Sequence, residues 1–562
     1  MSTKKWEILS KGTRDRVQGT VEEIKKILLR NRGIKTKLQE KEFFNPTHPD
    51  KLKALNFGID PKELKKSVVR IKKAKESGEK VIVWGDYDAD GICGAAILWE
   101  ALYYSGVNAL PFIPERRTEG YGLNVARMKQ LKKEDPSVGL IITVDNGIVA
   151  HEKVDTAKEL GVDVIITDHH LPRKTKPKAY AILHTTKICG ATVAYILARE
   201  LASKGDAFQG WQDHLGLAAL AQIADMVPLV GQGRSIVYHG LPMLQKTNRM
   251  GIIALCNVAK INQASIGTYE VGFMLAPRLN AAGRIENALS SLRLLCTKKR
   301  IQAQELAEQL QKTNASRQQM VLDTVTHARE QVIAGTANLP AQAGGLIFVA
   351  HESYHEGIVG LVASRLVEEF GRPAFVVAKG EELSRGSARS VPGFNIVQLI
   401  ETSREFLVEG GGHSMAAGFS VKTTMIEHLQ KAFLKNSKGM FNDGVGRKVL
   451  IDCEIPLEVI NFDLVGEIEK FEPFGIGNPQ PTFATRKVVV DDARLIGSDG
   501  KHLKLSFHLS GGRLKIDAVA FGMGELYSHL SPGKLVDIAY TVDVDRWNGR
   551  EKLQLKLKDL IT

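Results

Sequence analysis

The sequence is poor in cysteine, with five in 562 residues: Cys93, Cys189, Cys256, Cys296 and Cys453. None lies in a CxxC pair, so neither a disulfide framework nor a thiolate zinc site is suggested, and a reducing compartment fits. Long apolar runs are also absent. Spanning a bilayer takes roughly 18 consecutive apolar residues. The most apolar stretch, "GLAALAQIADMVPLV", is shorter and carries Asp225. The start, "MSTKKWEILSKGTRDR", lacks the apolar centre of a secretory signal. A cytoplasmic protein without membrane association is therefore expected. Acids are outnumbered, 63 against 76 Lys and Arg, for a formal net charge of +13. That balance favours an anionic partner such as nucleic acid, although ribosome-associated and membrane-surface proteins share it.

What is present is an ordinary globular composition, 43% hydrophobic and 25% charged, in a chain too long for one core. Residues 1–78 form a basic region with helical segments such as "TVEEIKKILLR"; its charges suit a solvated face as well as phosphate contacts. Residues 79–297 read differently. Three β-branched runs, "KVIVWGD" (80–86), "GLIITVD" (139–145) and "DVIITD" (163–168), are short and almost wholly apolar. Strands buried on both faces of a parallel sheet look like this. "GICGAAILWEALYYSG" and "HEKVDTAKELG" read as crossover helices, so a doubly wound α/β domain is expected. Residues 298–337 include a stretch, 298–333, free of Pro and Gly. It predicts one long connecting helix, or two helices broken near Asn314. A second α/β domain is expected over 338–440, beginning "GGLIFVAHESYHEGIVGLVASRLVEEFGRPAFVVAKG" and including the Gly-rich "EGGGHSMAAGFSV". From 447 to 562 come five or six short strands, with Asn548–Gly549 as a hairpin signal. They predict a small antiparallel barrel, with an OB-fold as a good candidate.

The three apolar runs end alike. The first leads into Asp86, Asp88 and Asp90 in "GDYDADG", the second into Asp145 in "TVDNG", the third into Asp168, His169 and His170. Ligands of open α/β sheets bind at the carboxyl ends of the strands. Each motif has a bland reading: Asp-rich loops are often turns or helix caps, and His-His pairs are usually surface residues. Their conjunction points elsewhere. So many carboxylates on one edge repel one another and are costly to desolvate, and divalent cations resolve that cost. Carboxylates with imidazole and no thiolate suit Mn²⁺ or Mg²⁺. The number of ligands suggests two metals, as in hydrolases of phosphate esters. Asp225, the sole acid in its apolar stretch, is a fourth contribution or else a helix cap.

"GDYDADG", "TVDNG", "DHH" and "ADMVPL", in this order, resemble the motifs of the DHH phosphoesterase superfamily. "FIPERRTEGYGLN", "APRLNAAGRI", "YHEGIVGLVASRL", "SRGSARS", "GGGHSMAAGF" and "FEPFGIGNPQPTFA" resemble those of the RecJ family of single-strand-specific 5′→3′ exonucleases. The resemblance runs from about residue 45 to the C-terminus. It implies a DHH domain at 79–297, a connecting helix, a DHHA1 domain at 338–440 and a C-terminal OB-fold, with a groove between the two α/β domains. It also implies that Asp88, Asp90, Asp145, His169 and Asp225 hold two divalent cations, Mn²⁺ or Mg²⁺, with Asp86 close by. His170 would sit beside the scissile phosphate, as a second metal ligand or an electrostatic stabiliser. Adjacent side chains leaving a strand diverge, so His170 need not repeat the work of His169.

The reaction implied is hydrolysis of a phosphodiester by metal-activated water, with no nucleophilic side chain. Candidate donors to substrate phosphates are Arg116, Arg278, Asn280, Arg284, Ser387 and Arg389, since arginine forks suit phosphate oxygens. Gly410, Gly411 and Gly412 allow close backbone approach, and His413 adds a donor. By resemblance this DHHA1 segment binds the 5′ end; polarity rests on the family alone. In the barrel, Trp547, Phe507 and Phe521 are conceivable stackers, with core packing the expected role for each. The expected partners are single-stranded DNA, a RecQ-type helicase and a single-strand-binding protein, and the chain is expected to act as a monomer in DNA repair and recombination. The rivals are a DHH oligoribonuclease or phosphodiesterase, or a non-catalytic scaffold that binds single strands.

Overall fold

The β-branched runs form the strands Lys80–Trp84, Val138–Val144 and Asp163–Asp168 in the structure, a computed structural model. It describes residues 5–10, 20–116, 118–202, 211–334, 345–440, 448–497, 499–508, 515–545 and 551–562. The three strands belong to a five-stranded sheet in which all four pairings are parallel. Two further strands, Ala109–Phe112 and Ala181–His184, flank them; at four residues each they are short, and their side chains are less buried than those of the three between. Side chains alternate between two cores, as the pleat requires. Val81, Val83, Leu140, Ile142 and Ile165 face one, and Ile82, Trp84, Ile141, Val164 and Ile166 face the other. Both faces are therefore buried, which is why these runs carry no polar alternation. The helices Ala89–Tyr104 and His151–Glu159 fall where crossovers were expected.

The spatial order is Ala109–Phe112, Lys80–Trp84, Val138–Val144, Asp163–Asp168, Ala181–His184. The first strand in sequence thus has the second on one side and the third on the other. The chain reverses direction across the sheet between Lys80–Trp84 and Val138–Val144, and open α/β sheets bind ligands beyond such a switch point.

Two compact units make up the chain. The first holds Met1–Gly283, Asn287–Leu310 and Lys448–Thr562; the second holds Arg284–Glu286 and Gln311–Arg447. The basic N-terminal region is not a body of its own. Its strand Lys5–Ile8 pairs in parallel with Lys448–Ile451, and Trp6 Nε1 donates to Asp559 at 2.6 Å. Ile24, Ile27 and Leu28 of the helix Val21–Asn31 enter the core of the C-terminal barrel, whereas Phe57, Leu64, Val68 and Ile71 join that of the parallel sheet. The region is basic on its outer side and apolar on its inner one.

The barrel strands are Phe483–Ile496, His502–His508, Lys515–Ala520, Leu535–Asp545 and Lys552–Ile561. The first pairs with both the second and the fourth, which closes the sheet on itself. The pairings are antiparallel except that Lys515–Ala520 runs parallel to Lys552–Ile561. Phe507 is fully buried, as expected, but Phe521 is 61% exposed. Trp547 and the Asn548–Gly549 turn lie outside the described residues.

In the second unit a mixed sheet runs Glu409–His413, Ala416–Lys422, Leu383–Arg389, Ala374–Ala378, Ile347–His351. Only the last two strands pair in parallel. Arg300–Ile333 is one continuous helix of 34 residues, so the chain does not break at Asn314. Among the described residues no helix is long and apolar enough to cross a membrane.

Candidate metal centre

The acids read from three separate strand ends meet in the first unit. Asp88 is the N-cap of the helix Ala89–Tyr104, its Oδ1 accepting from the backbone N–H groups of Asp90 and Gly91 at 3.0 and 3.1 Å. The capping expected of an Asp-rich loop is thus real, but it engages one oxygen of one acid. Asp90, in the first turn of that helix, is buried. Its oxygens accept from Gly190 and Ala191 N–H, at the start of the helix Gly190–Ala202, at 2.8 and 2.7 Å. A helix N-terminus is a favourable place for a carboxylate. Asp145 follows its strand directly and adopts a left-handed backbone, φ 64°. A Cβ at Gly190 would lie 2.6 Å from the Asp145 Cβ. Only glycine lets that helix approach closely enough to serve Asp90.

His169 is the hub. Its Nε2 lies 3.1 Å from Asp145 Oδ1, 3.4 Å from Asp225 Oδ2 and 3.6 Å from Asp90 Oδ2. Three sets of ligand atoms are close enough to hold an ion: Asp90, His169 and Asp225; Asp86, Asp88 and Asp145; and Asp145, His169 and His170. Asp145 occurs in two of them, which suits a carboxylate shared by two neighbouring cations. The donor atoms also fit that reading. Asp86 Oδ1, Asp145 Oδ1 and His169 Nε2 are buried and make no hydrogen bond. Burial and mutual repulsion drive the Asp86 and Asp145 carboxyls well above the usual carboxylate range, and push Asp225 up to about 9. Burial likewise lowers the pKa of His169, which favours the neutral imidazole a metal requires. Acids this reluctant to ionise alone are acids that a divalent cation would satisfy.

His170 is held differently. Its Nδ1 lies 2.8 Å from Asp168 Oδ1. Against the opposing effect of burial, the Asp168 carboxylate raises its pKa to about 9. Asp168 is almost completely buried. It also accepts from the N–H groups of Ile148, His169 and His170. Burial would raise its own pKa, but His170 and the backbone donors outweigh that and lower it. The first residue of the "DHH" triplet is therefore an orienting anion, a role the sequence reading did not assign. Tyr121 was missed as well. Its hydroxyl donates to the Asp145 carbonyl at 3.0 Å and lies 3.4 Å from His170 Nδ1. The signal was the "GYG" turn, whose glycines both have positive φ. Asn146 ties two strand ends together, its Nδ2 donating to the carbonyls of Trp84 and Val144.

The phosphate-donor candidates fall into separate groups. In the first unit, Arg116 stacks over Tyr87 of the acid loop at 5.3 Å. Asn280 Oδ1 accepts from Ala89 N–H at 2.6 Å. Asn280 therefore secures the start of the acid-bearing helix, and only its amide nitrogen is left to donate elsewhere. Arg278 turns back onto the Met274 carbonyl of its own helix. In the second unit, Arg284 Nη1 reaches the Gly357 carbonyl at 3.3 Å. Ser387, Gly418 and Gly411 form one row across three strands, and Arg389, Ala416 and His413 form the next row on the same face. Arg389 Nη1 donates to Ser387 Oγ at 3.1 Å. Gly412 alternates to the opposite face, where a Cβ would strike Ala417.

Comparisons with known proteins converge. Models of the DHH family N-terminal domain, the DHHA1 domain and the RecJ OB domain match residues 80–223, 343–438 and 451–559. The single-stranded-DNA-specific exonuclease RecJ of Bacillus subtilis is 35% identical over 99% of this chain and 71% of the relative. That of Thermus thermophilus is 33% identical over 89% of this chain and 71% of the relative. The crystal structure of RecJ in complex with Mn²⁺ from Thermus thermophilus matches with a TM-score of 0.82 and 29% identity, covering 99% of this chain and 79% of that one.

Proposed function

The chain belongs to the RecJ family, and on that premise we propose that it is a metal-dependent 5′→3′ exonuclease of single-stranded DNA. The observation that carries the reading is the position of His169 Nε2, within 3.1 to 3.6 Å of three carboxylates from three separate segments. The cofactors are divalent cations, Mn²⁺ or Mg²⁺, two of which Asp86, Asp88, Asp90, Asp145, His169 and Asp225 would hold. When bound they supply an acidified water as nucleophile and positive charge against the phosphate oxygens.

The chain's own residues do the rest. Asp168 fixes the ring of His170 through Nδ1 and favours its cationic form, which leaves Nε2 to a non-bridging phosphate oxygen. Tyr121 buttresses the Asp145 backbone and the His170 ring from the open side. Cys93 and Cys189 take no part: both are buried near Asp90, and burial with that negative charge pushes their thiols up and keeps them protonated. Arg116 and the face carrying Ser387, Arg389, Gly411 and His413 are assigned to substrate phosphates, the latter to the 5′ end. The RecJ OB domain match at 451–559 weighs against a smaller DHH oligoribonuclease, and the intact ligand set weighs against a non-catalytic scaffold. Cytoplasmic residence, a monomeric state and the helicase and single-strand-binding partners belong to the same proposal, as do the limits 79–297, 298–337, 338–440 and 447–562 for the domains and the connecting helix.

The test is degradation of a single strand labelled at either end. With Mn²⁺ or Mg²⁺, nucleotides are expected from the 5′ end of a 5′-phosphorylated strand, none from the 3′ end, and none under chelation. Release without metal, or equal loss from both ends, would refute the reading.

A further inference from the structure

Asp225 differs from the other acids in what holds it. The rest sit on strand ends or in the first turn of a buried helix. Asp225 ends the helix Trp211–Ala224, followed by Met226 in a left-handed conformation and then by Val227–Val230. Its place therefore depends on what packs against that connection. The barrel side of the first unit supplies this contact. Leu229 N–H donates to the Ile476 carbonyl at 2.7 Å. A Cβ on Gly475 would meet Leu229 Cδ1 at 2.7 Å, and one on Gly477 would meet Pro228 and Val230 at 3.2 Å. A side chain at either glycine would press on Leu229, Pro228 or Val230, so the two glycines let the backbones seat against each other.

The turn 474–478 is itself rigidly held. Gly475 and Asn478 exchange both backbone hydrogen bonds. The buried Asn478 donates through Nδ2 to the carbonyls of Phe471 and Pro473 and accepts from Arg32 Nε at 2.8 Å. Arg234, only 2% exposed, donates to the carbonyls of Phe471, Glu472 and Pro473. A buried guanidinium whose acceptors here are carbonyls is an expensive fastening, and it fastens this segment.

We infer that the turn 474–478 is a positioning element for the metal centre, setting Asp225 through Pro228–Val230. It is not a simple tether between barrel and nuclease. The inference rests on the two-metal reading of the site. Its logic is that of an outer support that fixes a ligand, for which loss commonly weakens metal binding by about 10–100-fold.

The experiment is titration of the full chain with Mn²⁺ alone, followed by calorimetry and by the electron paramagnetic resonance of the free ion. Gly475→Ala is expected to raise the Mn²⁺ dissociation constant by about tenfold or more. Adding Leu229→Ala removes the obstructed side chain. The double variant is expected to recover near wild-type affinity while melting lower than the single variant, because a buried side chain has been lost. A merely structural role would move both measures the same way. Unchanged affinity in Gly475→Ala, or no recovery in the double variant, overturns the inference. Should Gly475→Ala fail to fold, hydrogen exchange on the wild type decides. Mn²⁺ is expected to slow exchange across 474–478 as well as 225–230, and protection confined to 225–230 counts against coupling. Failure of the wild type to bind Mn²⁺ would instead strike the proposed function itself.

Discussion

Two sheets in this molecule gather polar residues, and they do so by opposite means. In the first unit every strand of the sheet is parallel, so successive strand ends fall on one edge, and each need only end in an acid to contribute. The result is a crowd of like charges: Asp86, Asp145 and Asp225 are all pushed above the carboxylate range by burial and by one another. In the second unit Ser387, Arg389, Gly411 and His413 lie on the face of antiparallel strands, and register alone brings them together. That group carries hydroxyl, backbone and imidazole groups and a guanidinium. The first site gathers acids that a cation would satisfy; the second, on the function proposed above, would receive an anion.

The comparison breaks most sharply at Asp145, common to two of the ligand sets. Asp145→Ala is expected to lower kcat by about 10⁴-fold or more, because removing one member of a unit that acts together removes most of its effect. Steady-state hydrolysis of a single strand measures it. A loss of only a few fold would mean that the acids do not act jointly.

Asp168→Asn tests the cationic exception inside the acidic site. It is expected to reduce kcat by roughly 10–100-fold, the usual cost of losing the group that orients a functional side chain. It should also shift the pH profile. Against burial, Asp168 raises the folded pKa of His170 to about 9, so its charge is present below that value and lost as pH rises through it. Without the carboxylate, the alkaline fall in activity is expected to move toward the ordinary histidine range. An unmoved profile would show that His170 charge is not used.

Arg389→Ala addresses the anion side. Losing one charge-assisted hydrogen bond, about 1.5–3 kcal/mol, predicts a rise in KM of about 10–100-fold for a 5′-phosphorylated strand. A strand with a 5′ hydroxyl should be little affected. Equal effects on both would remove the assignment to the 5′ phosphate.

The smallest effect is on stability. Asp225 titrates near 9 in the folded protein against an ordinary 3.8. Between those values folding takes up a proton, so the metal-free protein loses stability from this group as pH rises. Metal binding needs the deprotonated form. Saturating Mn²⁺ is therefore expected to raise the melting temperature by a few degrees more at pH 8 than at pH 6, read by scanning calorimetry. An equal rise at both would indicate that the acids do not compete with protons for the ion.

The same contrast explains what the sequence made legible. The acids follow apolar runs within a few residues, and three such runs in a parallel sheet must align their ends, so Asp86, Asp88, Asp90, Asp145 and His169 could be gathered from the text. The flanking strands Ala109–Phe112 and Ala181–His184 were not read, because four residues are too few to carry a periodic signal, and Pro111 argues against a strand in the first. Asp168 looked like one more acid, and only its four hydrogen bonds distinguish it as an orienter. Asn280 reads as a donor in "PRLNAAGR", yet it faces the first turn of a helix 191 residues earlier. In the N-terminal region the basic residues dominate the composition, while its few apolar residues divide between the core of the adjoining parallel sheet and that of the barrel more than 400 residues on.

Mn²⁺ titration of the wild type beside Asp145→Ala, with spin resonance to detect coupling between neighbouring ions, asks whether Asp145 joins two cations in one site. Two coupled Mn²⁺ per chain are expected in the wild type, and the loss of coupled binding in the variant. A single isolated ion in the wild type, or coupled binding that survives Asp145→Ala, would contradict a two-metal site joined by Asp145.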